Sequence, residues 1–452
     1  MTWRFLPERV ISRSFQAAGA AVLVLAAHAA AAQDRRVVTE PGLPAMVCAT
    51  LAPTGPDDQT GSDDQTGTIQ RAIDRCRAGQ AVRLVAGPGG GRFLSGPLRL
   101  KPGVILWIDS GVVLAATTDP RAYDRGNGLC GTIDARGAGC QPFVTIEGGR
   151  GGGIVGDGTI DGQGGAPMAG RDESWWQLAR RAQREGGKQN APRLIVVQQA
   201  RDVAFYRTLF RNAPNFHILL DGVSGATLWG IRIDTPADAR NTDGIDPSAS
   251  QDVTIAHSFV RTGDDNIAIK AGHGATRHVS ILDDHFYWGH GLSIGSETIA
   301  GVSDILVRGV TLDGTLSGLR IKSDASRGGL VEAVRYEDVC LRGNRRPIDF
   351  DTRYDAGAGG MAIPVYRGIA LSHVTGAGGA LVVGGHDAGH LLEVMLDDVR
   401  FDPDAVWQTA YAQFTAGPGG VTPPPPGLSA SAVPATGDRC AGRWASFPDQ
   451  HP

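Results

Sequence analysis

The sequence predicts an all-β protein: a parallel β-helix with a short capping helix at its N-terminal end. Three observations point there. Short β-branched runs recur between about residues 140 and 400, starting near Val203, Ala226, Val253, Val279, Ile305 and Val334, at intervals of 23, 27, 26, 26 and 29 residues. Each is followed by a second short run that alternates apolar and polar, as in Ile267-Ala268-Ile269-Lys270, Leu292-Ser293-Ile294 and Leu319-Arg320-Ile321-Lys322, so one face turns inward. Units of this length are too short for a βαβ crossover and bury their apolar face by stacking as coils. Glycine supplies the corners: it makes up 64 of 452 residues, about twice average usage, and shows no G-x-y period, which excludes collagen.

Taken in order, residues 1–32 read as a signal peptide. Arg4, Arg9 and Arg13 form a basic start, Ala17 to Ala27 an apolar stretch, and Ala30-Ala31-Ala32 a small-residue cleavage pattern. No later stretch is long and apolar enough to span a membrane, so the expectation is an exported, secreted protein with no membrane partner. The whole chain carries 43 Lys+Arg against 47 Asp+Glu, net −4; removing three Arg and Glu8 leaves −6. A general nucleic-acid binder would show a basic excess instead. Next, Ile69, Ile73 and Cys76 form an apolar stripe at helical spacing, which predicts the cap. Residues 33–401 make up the β-helix domain. The Pro-rich run Thr422 to Pro426 marks 402–452 as a C-terminal tail. The six cysteines permit three disulfides in an exported chain. Cys130–Cys140 is the easiest pair, closing a Gly-rich loop, and Cys48–Cys76 would tie the opening segment to the cap. No CxxC spacing suggests zinc, and no metal or other cofactor is expected.

Stacking the second strands by their inward aliphatics builds a site. Ile245, Ile267, Leu292 and Leu319 share a column, and two residues before each stand Asp243, Asp265, His290 and Ser317. Coils stack about 4.8 Å apart, so Asp243, Asp265 and His290 line one outer face with Asp264 beside them. Arg320 and Lys322 flank Ile321 and point together on the same face. Three carboxylates this close cannot all ionise cheaply: one keeps a proton and can act as an acid, while the others hold and deprotonate a water. Two cations alongside suit an anionic substrate. A carboxylate pair flanking a sugar bond is the glycosidase arrangement.

Asn241-Thr242-Asp243-Gly244, Gly263-Asp264-Asp265-Asn266, Gly289-His290-Gly291 and Arg320-Ile321-Lys322 resemble the four signature motifs of the polygalacturonases, glycoside hydrolase family 28. Cys130 to Ile133, Ser174-Trp175-Trp176, Ala191 to Ile195 and Ser293 to Glu297 resemble the bacterial secreted endo-enzymes in particular, and the likeness covers roughly residues 40 to 400. The resemblance implies a right-handed β-helix that hydrolyses α-1,4-galacturonosyl links of polygalacturonate with inversion; a monomer is expected. It implies Asp264 as general acid, Asp243 and Asp265 as the water-activating pair, and His290 as support for the acid. Asn241, Arg320, Lys322 and Tyr354 become substrate-binding residues. Spacing alone argues differently on stereochemistry, since carboxylates one coil apart (~5 Å) suit retention and ~6.5–9.5 Å suits inversion.

Five residues keep two readings. His217, one unit before Asp243, either lines a subsite or packs; Trp175 and Trp176 either stack on sugars or fill a loop. Arg320 and Lys322 could instead pair with Asp349 and Asp351, one unit later. A Ca²⁺-dependent lyase and a non-catalytic carbohydrate-binding β-helix are the rival functions, and exo-action would require a loop closing the groove, for which 355–365 is the one moderate insert.

Overall fold

A computed structural model describes residues 33–53, 64–429 and 438–448; the expected signal peptide, 1–32, lies outside them. Strands, most of them three to seven residues long, wind repeatedly into parallel ladders. One ladder, eleven strands long among the described residues, runs from Leu98–Leu100 through Ile245–Ser248, Ile267–Ile269, Leu292–Gly295 and Ser317–Lys322 to Val406–Ala410. Every pairing along it is parallel, and Ile245, Ile267, Leu292 and Leu319 are direct partners. These four side chains are fully buried, each worth ~1.5–3 kcal/mol by removal from water. The column that places the site is therefore the column that holds the core.

Each coil also contains a third strand that the two-strand reading of the repeat lacks. Leu209–Arg211, Arg232–Asp234, Phe259–Arg261 and His285–Tyr287 pair in sequence along the remaining face. Three residues offer one inward side chain, Ile233 or Val260 for example, which is too short a run for an alternation to register in sequence.

The cap is the helix Thr66–Arg75, which buries Ile69, Ala72 and Ile73 over the open end of the core. Cys76 at its end is bonded to Cys48 in the first strand, Val47–Leu51. Cys130 and Cys140 also form a disulfide, as does the third pair, Cys340–Cys440.

The tail begins later than residue 402. Val406–Ala410 continues the ladder of Ala380–Gly384, while Ala412–Ala416 and Val421–Thr422 pair with Leu392–Phe401. The coil thus ends where Pro423 removes a backbone donor. Beyond it, residues 438–448 pack on the outer face. Tyr287 Oη donates to the Ala445 carbonyl at 2.8 Å, Arg342 lies 4.1 Å over the Trp444 ring, and Phe447 meets Phe259 and Tyr287 edge-on. Cys440 fixes this segment to Cys340 across 100 residues of sequence. Replacing both cysteines by serine is expected to cost about 3–5 kcal/mol of stability, the range for a cross-link closing so long a loop. Thermal unfolding of the variant against the wild type measures it, and activity at room temperature should persist because neither cysteine borders the groove.

Candidate active site

Strand register places the acidic residues and turn geometry aims them. The chain makes a tight corner before each strand. Asn241 holds the left-handed conformation (φ +57°), which asparagine tolerates. Gly289 and Gly291 flank His290 with φ +84° and +85°. A Cβ on Gly291 would lie 2.0 Å from the Ser317 carbonyl oxygen, so only glycine lets the next coil approach.

Asp265 is almost fully buried and completely satisfied. Lys322 Nζ donates to its Oδ2 at 2.7 Å, Ser293 Oγ to its Oδ1 at 2.8 Å, and Arg320 Nη1 stands 3.6 Å from Oδ1. Asp264 is more open. Its Oδ1 accepts from the Asp265 amide and faces His290 Nδ1, both at 3.0 Å, and its Oδ2 accepts from the Asn241 amide at 3.3 Å. Asn241 Oδ1 is in turn held by Gln189 Nε2 at 3.0 Å. Arg320 bridges two coils, its Nε lying 3.3 Å from Asp349 Oδ2. Tyr354 is 43% exposed, with its ring 5.2 Å from the Arg320 guanidinium carbon and 5.3 Å from Lys322 Nζ. All eight residues singled out in the sequence thus lie on one patch. Of the ion pairs considered as alternatives, Arg320–Asp349 forms, while Lys322 turns to Asp265 rather than to Asp351.

A second layer lies beneath Asp243. Lys270 Nζ donates to Asp243 Oδ2 at 3.1 Å and to Asp246 Oδ2 at 2.8 Å. Neither residue was singled out in the sequence, although a signal existed: Lys270 follows Ile267 by three positions, as Lys322 follows Leu319. His217 is fully buried, with Nδ1 on the Asp243 carbonyl (3.0 Å) and Nε2 on Thr235 Oγ1 (2.7 Å). Burial lowers its pKa to about 4, so it is a neutral packing residue that lines no subsite. Trp175 is buried beside Tyr123 and Trp176 donates to the Ala213 carbonyl, so both fill the loop.

The electrostatics separate the carboxylates. Burial pushes Asp243 well up, assisted by Asp246, Asp264 and Asp265 and opposed by Lys270. Asp246 is pushed up to about 6 by burial, again against Lys270. Burial would also raise Asp264, but the hydrogen bond and charge of His290, the charge of Lys322 and the Asp265 amide together hold it below the usual carboxylate range. Burial thus favours the protonated form of Asp243, while the surroundings of Asp264 favour its ionised form. Asp264, Asp265 and His290 also offer ligand atoms within 4.8 Å of one another, the one such group among the described residues that could hold a divalent cation.

The profile of glycosyl hydrolases family 28 matches residues 76–389. An endo-polygalacturonase of Pectobacterium parmentieri is 42% identical over 404 residues, 89% of this chain and 96% of that protein. A polygalacturonase of Ralstonia nicotianae is 40% identical, covering 85% of this chain and 84% of its own. Among solved structures, the polygalacturonase from Erwinia carotovora ssp. carotovora superposes with a TM-score of 0.79 at 40% identity, covering 85% of this chain and all of that one. With its carboxylate cluster on a parallel β-helix and these relatives along nearly its whole length, the chain belongs to glycosyl hydrolase family 28.

Proposed function

We propose that this chain is a secreted endo-polygalacturonase that hydrolyses the α-1,4 links of polygalacturonate with inversion. The observation that carries the reading is the meeting, on one ladder, of Asp243, Asp264 and Asp265 with the cations of Arg320 and Lys322 and the ring of Tyr354. Arg320 and Lys322 bind galacturonate carboxylates, and Tyr354 lies against the sugar held there. Asp264, the most open of the three acids, donates a proton to the glycosidic oxygen as that bond breaks. Asp243 and Asp265 orient a water, whose oxygen bonds to the anomeric carbon while its proton passes to a carboxylate. Asn241 and His290 hold Asp264 and set its charge. Endo-action follows the Pectobacterium relative, which bears it in its name.

The test is the product profile on polygalacturonate in the presence of a chelator, with the anomer followed by NMR. The expected result is a ladder of saturated oligomers whose first-formed reducing ends are β. Unsaturated products, or loss of cleavage with the chelator, would replace hydrolysis by a metal-dependent lyase reaction. First-formed α ends would establish retention, and monomer or dimer alone would establish exo-action.

A further inference from the structure

The active-site column continues past Asp243 in the direction away from Arg320 and Lys322. Ile195, Ile218 and Ile245 are register partners, and the residues two positions before them are Arg193, Phe216 and Asp243. Arg193 therefore stands two coils from Asp243, about 10 Å, with Phe216 between them. Arg193 and Lys270 share the Phe216 ring: the guanidinium carbon lies 5.2 Å from its centroid and Lys270 Nζ 4.1 Å. The three border a groove pocket of about 510 Å³ that also takes in Asn241.

This pocket is lined by several cations. Most arginines on the solenoid are neutralised by an aspartate or glutamate, as in Arg83–Asp109, Arg261–Asp234 and Arg342–Asp313. In the pocket, Arg136, Lys188, Arg193 and Arg240 have no carboxylate partner among the described residues. Arg193 is exposed to the groove; the protein around it lowers its pKa, against the charges of Asp246, Asp221 and Asp243. A guanidinium that faces the groove without a close ion pair is available to an anionic ligand. Arg136, Lys188, Arg193 and Arg240 thus present positive charge along the groove where a polyanion would lie.

We propose that Arg193, set beside the Phe216 ring, is a specificity residue for a free sugar carboxylate two residues from the cleaved bond, and that it rejects the methyl ester there. A 1,4-linked chain advances roughly one coil per sugar, so the sugar next to the reacting one passes over Phe216 and the following one meets Arg193. A carboxylate can accept two parallel N–H bonds from the guanidinium, while an ester offers no charge and sets a methyl group against the cation. The inference rests on the polygalacturonate reading and adds to it which esterification pattern the enzyme tolerates.

The test compares wild type, Arg193→Gln and Arg193→Lys on polygalacturonate and on partly methyl-esterified chains of matched length, with folding checked by thermal unfolding. For Arg193→Gln, KM on polygalacturonate is expected to rise about tenfold, the equivalent of one charge-assisted contact, while kcat changes little. Its preference for the unesterified chain should fall by about the same factor. Arg193→Lys, which keeps the charge, should retain part of the preference. Overturning results are an unchanged KM for Arg193→Gln, or equal losses on both substrates, which would mark a structural role. Wild type inactive on polygalacturonate would instead sink the functional reading itself, and this inference with it.

Discussion

Asp264→Asn should lower kcat on polygalacturonate about 10³-fold, the contribution of a positioned general acid, or about 4 kcal/mol of barrier. Asparagine keeps the shape of the side chain and can still accept from the Asn241 amide, so the fold should be unaffected. The loss should shrink on an aryl galacturonide, whose leaving group needs no proton. An equal loss on both substrates would remove Asp264 from the role of acid.

The free-site charge state adds a second readout. Asp264 is held low because burial is outweighed by His290, Lys322 and the Asp265 amide. Substrate carboxylates docking on Arg320 and Lys322 would cancel part of that positive field, and Asp264 could then take up the proton it has to deliver. The basic limb of kcat, which reports the complex, should therefore lie at higher pH than that of kcat/KM, which reports the free enzyme. Coincident limbs would mean that the substrate does not tune the acid.

Lys270→Met is expected to have the next largest effect, on both stability and pH dependence. Lys270 is the cation that both Asp243 and Asp246 contact, with side-chain exposures of 15%, 6% and 0%. Removing it leaves two buried carboxyls without their counter-charge, a loss of about 3 kcal/mol when they are ionised. Asp246 already stands at about 6 in the folded protein against an ordinary 3.8. A carboxyl raised on folding contributes stability that is fully present below its unfolded value and is lost as pH rises through the folded one. The variant should accordingly be destabilised more at pH 8 than at pH 5. Because Lys270 lowers Asp243, its loss should also move the acidic limb of kcat/KM upward by about one unit or more. A destabilised variant with an unshifted profile would confine Lys270 to a structural role.

The local sequence carried the solenoid because each coil repeats the same event, an inward aliphatic at a fixed place in a short strand. Ile245, Ile267, Leu292 and Leu319 are legible one by one, and the carboxylates two residues before them follow from the period of two. Lys270 and Arg193 obey the same register and were missed because nothing in their own segments marks them: Lys270 ends an ordinary alternating strand, and Arg193 reads as a solvent-facing charge. The three-residue strands and the packing of residues 438–448 escaped for a related reason. A single inward side chain has no period, and Trp444 and Phe447 acquire meaning only from Arg342, Phe259 and Tyr287 on distant coils.

By itself, then, the sequence determined the repeat, the inward column and the capping helix, because these depend on spacing along the chain, while Asn241 and Tyr354 entered the site through the family resemblance. The tertiary structure decided their charge. Which carboxyl holds the proton depends on burial and on cations brought in from other coils, Lys270 beneath Asp243 and Lys322 with His290 around Asp265 and Asp264. It also decided that His217 is a packed, neutral ring and that Arg193 faces the groove beside the Phe216 ring. Spacing is a property of the chain, whereas a pKa is a property of everything within a few ångströms of the group, and in a stacked solenoid those neighbours lie some 25 residues away or more.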